Sequence, residues 1–97
     1  VKNEQKHFSM PALEVLDEKS TKNKGSHFLI LHNDDINTFE FVIDSLIEIC
    51  EHNLEQAEQC AFITHSKGKC DVKKGTMKKL KPMKNALIER GLKATID

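Results

Sequence analysis

The stretch HFLILHNDDINTFEFVIDSLIEIC, residues 27–50, decides the fold. Phe28, Leu29, Ile30 and Leu31 form a compact apolar run closed by Asn33, Asp34 and Asp35, the pattern of a buried strand ending in a turn. Beyond that turn Phe39, Val42, Ile43, Leu46, Ile49 and Cys50 recur at helical spacing, opposite Glu40, Asp44, Glu48 and Glu51. Asn37, with Glu40 three residues on, reads as the start of this helix, because an Asn side chain accepts from first-turn N–H groups and a Glu reaches back. A strand joined by a short loop to an amphipathic helix is the first layer of a mixed fold.

Working toward the C-terminus, Asn53 and Gln56 repeat the start signal. Leu54, Ala57, Cys60, Ala61 and Thr64 then carry a second helix to about His65 or Ser66, closed by Lys67-Gly68. Lys69 to Lys74 alternates around Cys70 and Val72, a short strand whose lysines suit a sheet edge. Thr76 caps a third helix with Met77, Leu80, Met83, Leu87 and Ile88 on one side and Gly91 as its stop. Pro82 inside it predicts a kink or a later start near Lys81. Leu92, Ala94 and Ile96 alternate with polar residues as a closing strand. The order strand, helix, helix, strand, helix, strand predicts an α+β sandwich, a three-stranded antiparallel sheet with three helices on one face.

Toward the N-terminus the pattern is different. Residues 1–26 hold only a short apolar stretch, Phe8 to Leu16, broken by Pro11 and followed by a polar linker. They read as a flexible extension ahead of a domain at 27–97. Ninety-seven residues read as one small domain and not as a two-domain enzyme, and apolar runs such as Phe28–Leu31 are far below the ~20 residues of a membrane span. Three cysteines in no paired motif signal neither a disulfide framework nor a zinc module, which fits the reducing cytoplasm. A core of this size contributes only about 3–5 kcal/mol net and suits binding better than catalysis.

The formal net charge of zero conceals two opposite halves. Residues 27–65 carry eight acids and no Lys or Arg. Residues 66–97 carry ten bases against three acids, a net of +7. An acidic half favours a cationic ligand, and a basic half an anionic partner. The five Phe all lie outside the basic segment, so nothing there stacks on bases and nucleic acid is a poor fit.

Two features could carry chemistry: the loop Asn33-Asp34-Asp35 and the isolated His65. Either is readable as ordinary structure, since Asn and Asp open turns and a histidine can end a helix. Converging at one end of a small sheet, two carboxylates, an amide oxygen and a neutral imidazole nitrogen would instead accept from an ammonium ligand. His32, Asp34, Asp35 and His65 could also ligate a metal, but no fixed-spacing motif is present, so no metal or cofactor is expected. Cys50 and Cys60 fall on apolar helix faces as small hydrophobes, and no catalytic residue is expected.

Taken together, His27–Asp35 (HFLILHNDD), Phe39–Asp44 (FEFVID) and His65 followed by Gly68-Lys69 closely resemble ClpS, the adaptor family of the Clp protease. The likeness is tightest over residues 27–75 and looser to Asp97. It implies the β-α-α-β-α-β fold and an adaptor that binds the bulky hydrophobic N-terminal residue of an N-degron substrate. It also implies delivery to a ClpA- or ClpC-like AAA+ ATPase. By the same matching Asn33, Asp35 and His65, with Asp34 beside them, hold the substrate's α-amino group, and Leu31, Phe39, Val42, Ala61, Thr64 and Leu92 line its side-chain pocket. The family usually has Met where Phe39 stands and larger apolar residues where Ala61 and Thr64 stand. Its acidic-led ATPase-docking segment falls on Lys78-Lys79-Leu80-Lys81-Pro82-Met83, where the charge is largely reversed; Lys78, Lys81 and Met83 are the docking candidates. The alternative is a binding module of this fold without N-end recognition, acting through the basic face at Lys67–Lys84.

Overall fold

The computed structural model describes residues 26–97, so the expected extension lies, but for Ser26, outside the described residues. Strand β1 (Ser26–His32) is followed by helices α1 (Phe39–Cys50) and α2 (Leu54–Lys67). Strand β2 (Lys69–Thr76), helix α3 (Met77–Glu89) and strand β3 (Lys93–Ile96) complete the order expected from the sequence. The sheet order is β2-β1-β3, with both neighbours antiparallel to β1. The most apolar strand is therefore the central one. Its Leu29 and Leu31 are fully buried beneath the helices with Val42, Leu46, Ala57, Ala61, Leu80 and Leu87.

The lysine-bearing β2 is an edge, as its alternation implied, but it runs two residues beyond Lys74. A register shift opposite Leu29 and Ile30 leaves Val72 without a partner on β1, a bulge that lets pairing resume and continue to Thr76. The Val72 carbonyl released by this bulge accepts a 2.6 Å hydrogen bond from Nε2 of buried His52, whose Nδ1 has no hydrogen-bond partner. Burial holds the His52 pKa below the usual histidine value, with nearby Lys73 acting in the same direction and the bond to Val72 opposing both.

Local signals place most helix ends. Asn53 accepts from Gln56 N at 2.8 Å, Thr76 from Lys79 N at 3.2 Å, and Gly68 closes α2 in the left-handed conformation. The start of α1 differs from expectation. Thr38, not Asn37, is its cap, accepting from Phe41 N at 3.1 Å, because the Asn37 amide is drawn into the loop before it. Helix α3 begins at Met77, directly after the expected Thr76 cap and not near Lys81, and runs through Pro82. The bond that Pro82 cannot make would go to the carbonyl of Lys78, an exposed residue that water can serve, while Leu80 and Leu87 anchor the helix on either side. Met77, Ile88 and Leu54, expected on apolar faces, are largely exposed. Each lies within a turn of a helix end, where the core no longer reaches.

Candidate functional site

Three segments meet at one end of the sheet, and each carries residues singled out in the sequence. The first is the loop between β1 and α1. Asp34, 9% exposed, lies beneath it: Oδ1 accepts from Ile36 N at 2.8 Å and Asn37 N at 2.7 Å, and Oδ2 accepts from Asn37 Nδ2 at 3.0 Å. Burial alone would raise the pKa of this carboxyl, but these hydrogen bonds outweigh it and hold the group below the usual aspartate value. Asp34 is therefore an internal brace of the loop. Its neighbours Asn33 and Asp35 flank that brace, half-buried and exposed respectively.

The second segment is the C-terminal turn of α2. The backbone N–H of Asn33 donates to the Gly68 carbonyl at 2.9 Å, which draws the loop against the end of this helix. His65 lies in its last turn and meets Phe39, the first residue of α1, edge to face with ring centroids 5.5 Å apart. The third segment is the turn from α3 into β3. Asn37 Nδ2 also donates to Gly91 O at 3.1 Å, which brings the stretch containing Leu92 to the same end. This tether between residues 54 positions apart has no local signature, and the sequence reading missed it.

The six residues expected to line a side-chain pocket, Leu31, Phe39, Val42, Ala61, Thr64 and Leu92, are all buried. Five of them belong to one contiguous apolar cluster. Thr64 joins them in the interior because its hydroxyl donates to the Cys60 carbonyl one turn back at 2.7 Å and so needs no outside partner. Phe39, the first residue of α1, is itself a member of this cluster and meets the His65 ring.

Charges of both signs stand at this end, since the last turn of α2 carries exposed Lys67 while the loop carries Asp34 and Asp35. Asp35 is exposed, and the C-terminal end of α2 presents the partial negative charge of a helix terminus. The partial positive charge at the start of α1 is offset by Asp34 below it and Glu40 in its first turn. Among the described residues no three His, Cys, Asp or Glu side chains gather as a metal-binding set, and His32 instead shares a 2.8 Å hydrogen bond with Thr95 Oγ1. Cys50, Cys60 and Cys70 are buried and free, and burial pushes the Cys50 thiol up to about 11.

The ClpS family, "ATP-dependent Clp protease adaptor protein ClpS", matches residues 22–95. The chain belongs to the ClpS family. It is 36% identical over 59 residues to the ClpS adapter of Campylobacter jejuni strain 81-176, covering 61% of this chain and 62% of that one. It is 34% identical over 55 residues to the ClpS adapter of Nitratidesulfovibrio vulgaris, covering 57% and 55%. The match thus spans less than two thirds of either relative. A solved structure of Agrobacterium tumefaciens ClpS2 bound to L-phenylalaninamide superimposes with a TM-score of 0.64 at 22% identity, over 75% of this chain and 95% of that one. That likeness establishes the ClpS fold. Of the docking candidates on α3, Lys78 and Lys81 are exposed, whereas Met83 is half-buried and packs against the core.

Proposed function

We propose that this protein is an adaptor that holds the bulky N-terminal residue of a substrate protein and delivers it to a Clp-family AAA+ ATPase in the cytoplasm. The observation that supports this reading is that the loop bearing Asn33 and Asp35 is tied to the end of α2 that bears His65, whose ring meets Phe39 of the apolar cluster. An α-amino group has a pKa of about 7.7–8.0 and is mostly an ammonium at neutral pH. It offers three donors. The Asn33 amide oxygen, the Asp35 carboxylate and a neutral His65 ring nitrogen supply three acceptors. Acetylation removes both the charge and two of the donors, so a blocked end loses most of what the loop can bind.

The first side chain enters beneath Phe39, among Leu31, Val42, Ala61, Thr64 and Leu92. Phe39 acts as a gate whose bulk rejects β-branched ends and accepts Leu, Phe, Tyr and Trp. The L-phenylalaninamide bound by Agrobacterium tumefaciens ClpS2 is chemically such an end, a free ammonium beside a bulky side chain and an amidated carboxyl. Recognition of this kind needs hydrogen bonds and burial alone, and no cofactor or reacting group.

Delivery engages the opposite charge. Lys78, Lys79 and Lys81 crowd the first turns of α3 with no acid among them, against the helix dipole, and suit an acidic face on the ATPase N-terminal domain. The same lysines favour the alternative reading, a basic-face binder without N-end recognition. A nucleic-acid affinity falling steeply with salt would support that alternative.

The test is fluorescence anisotropy of labelled peptides that differ only at residue one, Leu, Phe, Trp, Tyr, Val or Met, with an N-acetylated Leu control. Tight binding of the bulky ends, abolished by acetylation and reduced at least tenfold in Asp35→Ala, is expected. Flat binding across the series would leave the loop as turn chemistry only.

A further inference from the structure

Ile36 is the most exposed of the large apolar side chains in the described residues, at 79%. It is also held in place. Asp34 Oδ1 fixes its backbone N–H at 2.8 Å and that of Asn37 at 2.7 Å, and Asn37 ties the far side of the loop to Gly91. A buried carboxylate and a long-range tether thus present an isoleucine to solvent in a fixed position, which contributes nothing to the core. A single exposed apolar residue is ordinary in itself; what distinguishes Ile36 is its fixed backbone on a braced loop directly after Asp35.

We propose that Ile36 reads the side chain of the substrate's second residue and favours an apolar one. This rests on the reading of Asn33, Asp35 and His65 as the α-amino site. Ile36 directly follows Asp35, so their Cα atoms are about 3.8 Å apart. An ammonium gripped by Asp35 therefore places the next residue of an extended peptide, about 3.3 Å further along, within reach of the Ile36 side chain. Successive side chains of an extended chain point to opposite sides. With the first directed inward beneath Phe39, the second is directed outward, to the solvent side of the loop where Ile36 stands. Ile36 thus acts as a specificity-determining residue beyond the first-residue pocket.

The test uses the full 97-residue chain, wild type and Ile36→Ser, with fluorescein-labelled peptides beginning Leu-Leu or Leu-Ser and an N-acetylated Leu-Leu control. Wild type is expected to bind Leu-Leu about fivefold more tightly than Leu-Ser, the effect of burying part of one aliphatic side chain. Ile36→Ser should bind the two alike, at the wild-type Leu-Ser affinity, with an unchanged thermal midpoint. A wild type that rejects the acetylated end yet treats Leu-Leu and Leu-Ser alike overturns the role of Ile36 and leaves the α-amino site standing. The same holds if the preference persists in Ile36→Ser. A wild type indifferent to acetylation overturns both.

Discussion

Asp34 provides the sharpest separation between holding the loop and holding a ligand. Replacing it with Ala removes one acceptor from the backbone of Ile36, one from that of Asn37 and one from the Asn37 side chain. Hydrogen bonds to a charged group contribute about 1.5–3 kcal/mol each when buried, but Ile36 is exposed and Asn37 half-exposed, so water recovers part of the loss. Asp34→Ala should therefore lower the unfolding free energy by about 2–3 kcal/mol, a drop of roughly 2 M in the urea midpoint for a chain of this size. Asp34→Asn retains an oxygen for the two backbone donors but sets an amide against Asn37 Nδ2, and should lose about 1 kcal/mol. The acid limb adds an independent check. The folded-state pKa of Asp34 is depressed, so its contribution is present above the unfolded value near 3.8 and is lost as pH falls through the lower folded value. The gap between wild type and Asp34→Asn should close as pH falls from 5 to 2. In the peptide assay Asp34→Asn should stay within about threefold of wild type, while Asp35→Asn loses tenfold or more. An Asp34→Ala variant as stable as wild type, but as impaired in binding as Asp35→Ala, would show that Asp34 is itself a ligand and refute the brace.

Two further outcomes follow from buried rings. His52 has a depressed folded-state pKa, so stability is highest above the unfolded value near 6.5 and declines as pH falls below it, by up to about 1.4 kcal/mol per pH unit. His52→Gln should flatten urea midpoints measured between pH 7 and 5, and an NMR titration placing the His52 ring at or above pH 6.5 would contradict this. At the gate, Phe39→Leu and Phe39→Ala should raise the affinity of Val- and Ile-ended peptides relative to Leu-ended ones; Ala should also destabilise by about 3–4 kcal/mol because the ring is only 2% exposed. If neither variant gains on the β-branched ends, Phe39 is core and not a gate.

The parts of this molecule legible in its sequence are those decided within a few residues. The spacing of Phe39, Val42, Ile43 and Leu46, the caps at Asn53 and Thr76 and the glycine stop at Gly68 are local, and each stands where the pattern put it. The order of elements followed from them. What escaped was decided at long range. Asn37 and Thr38 are adjacent and both competent to cap, and the choice falls to Thr38 because Asn37 is engaged by Asp34 and by Gly91, far along the chain. The extra length of β2 depends on a bulge at Val72 whose carbonyl needs His52, a partner 20 residues away. Propensity alone left a kink or a later start near Lys81 open at Pro82, and the start at Met77 is tolerated because the carbonyl left unbonded belongs to exposed Lys78. For the candidate site, local pattern marked the loop and His65 as separate features. Their meeting depends on the Asn33–Gly68 bond and the Phe39–His65 contact, which no spacing rule contains.

The charge asymmetry also gains a meaning that composition could not supply. Arg90 pairs with Glu48, and Lys73 pairs with Glu51 at 3.7 Å, so the described ion pairs joining the acidic and basic halves both lie toward the C-terminal end of α1. Arg90 is further held by Ser45 Oγ at 3.1 Å, and Lys73 by the Cys50 carbonyl at 3.0 Å, where a cation also complements the helix end. These bases are thus engaged at the end of α1 remote from the loop. The loop end carries Asp35 and Glu40 together with Lys67 in the last turn of α2, whereas the lysines of α3 lie toward the other end of the sheet. On the proposed reading, the end with Asp35 would take an ammonium and the α3 lysines an acidic surface, in a chain whose net charge is zero. Such a separation lets one small domain hold two unlike partners at once, which is what an adaptor requires and what a uniformly mixed surface of the same composition would not provide.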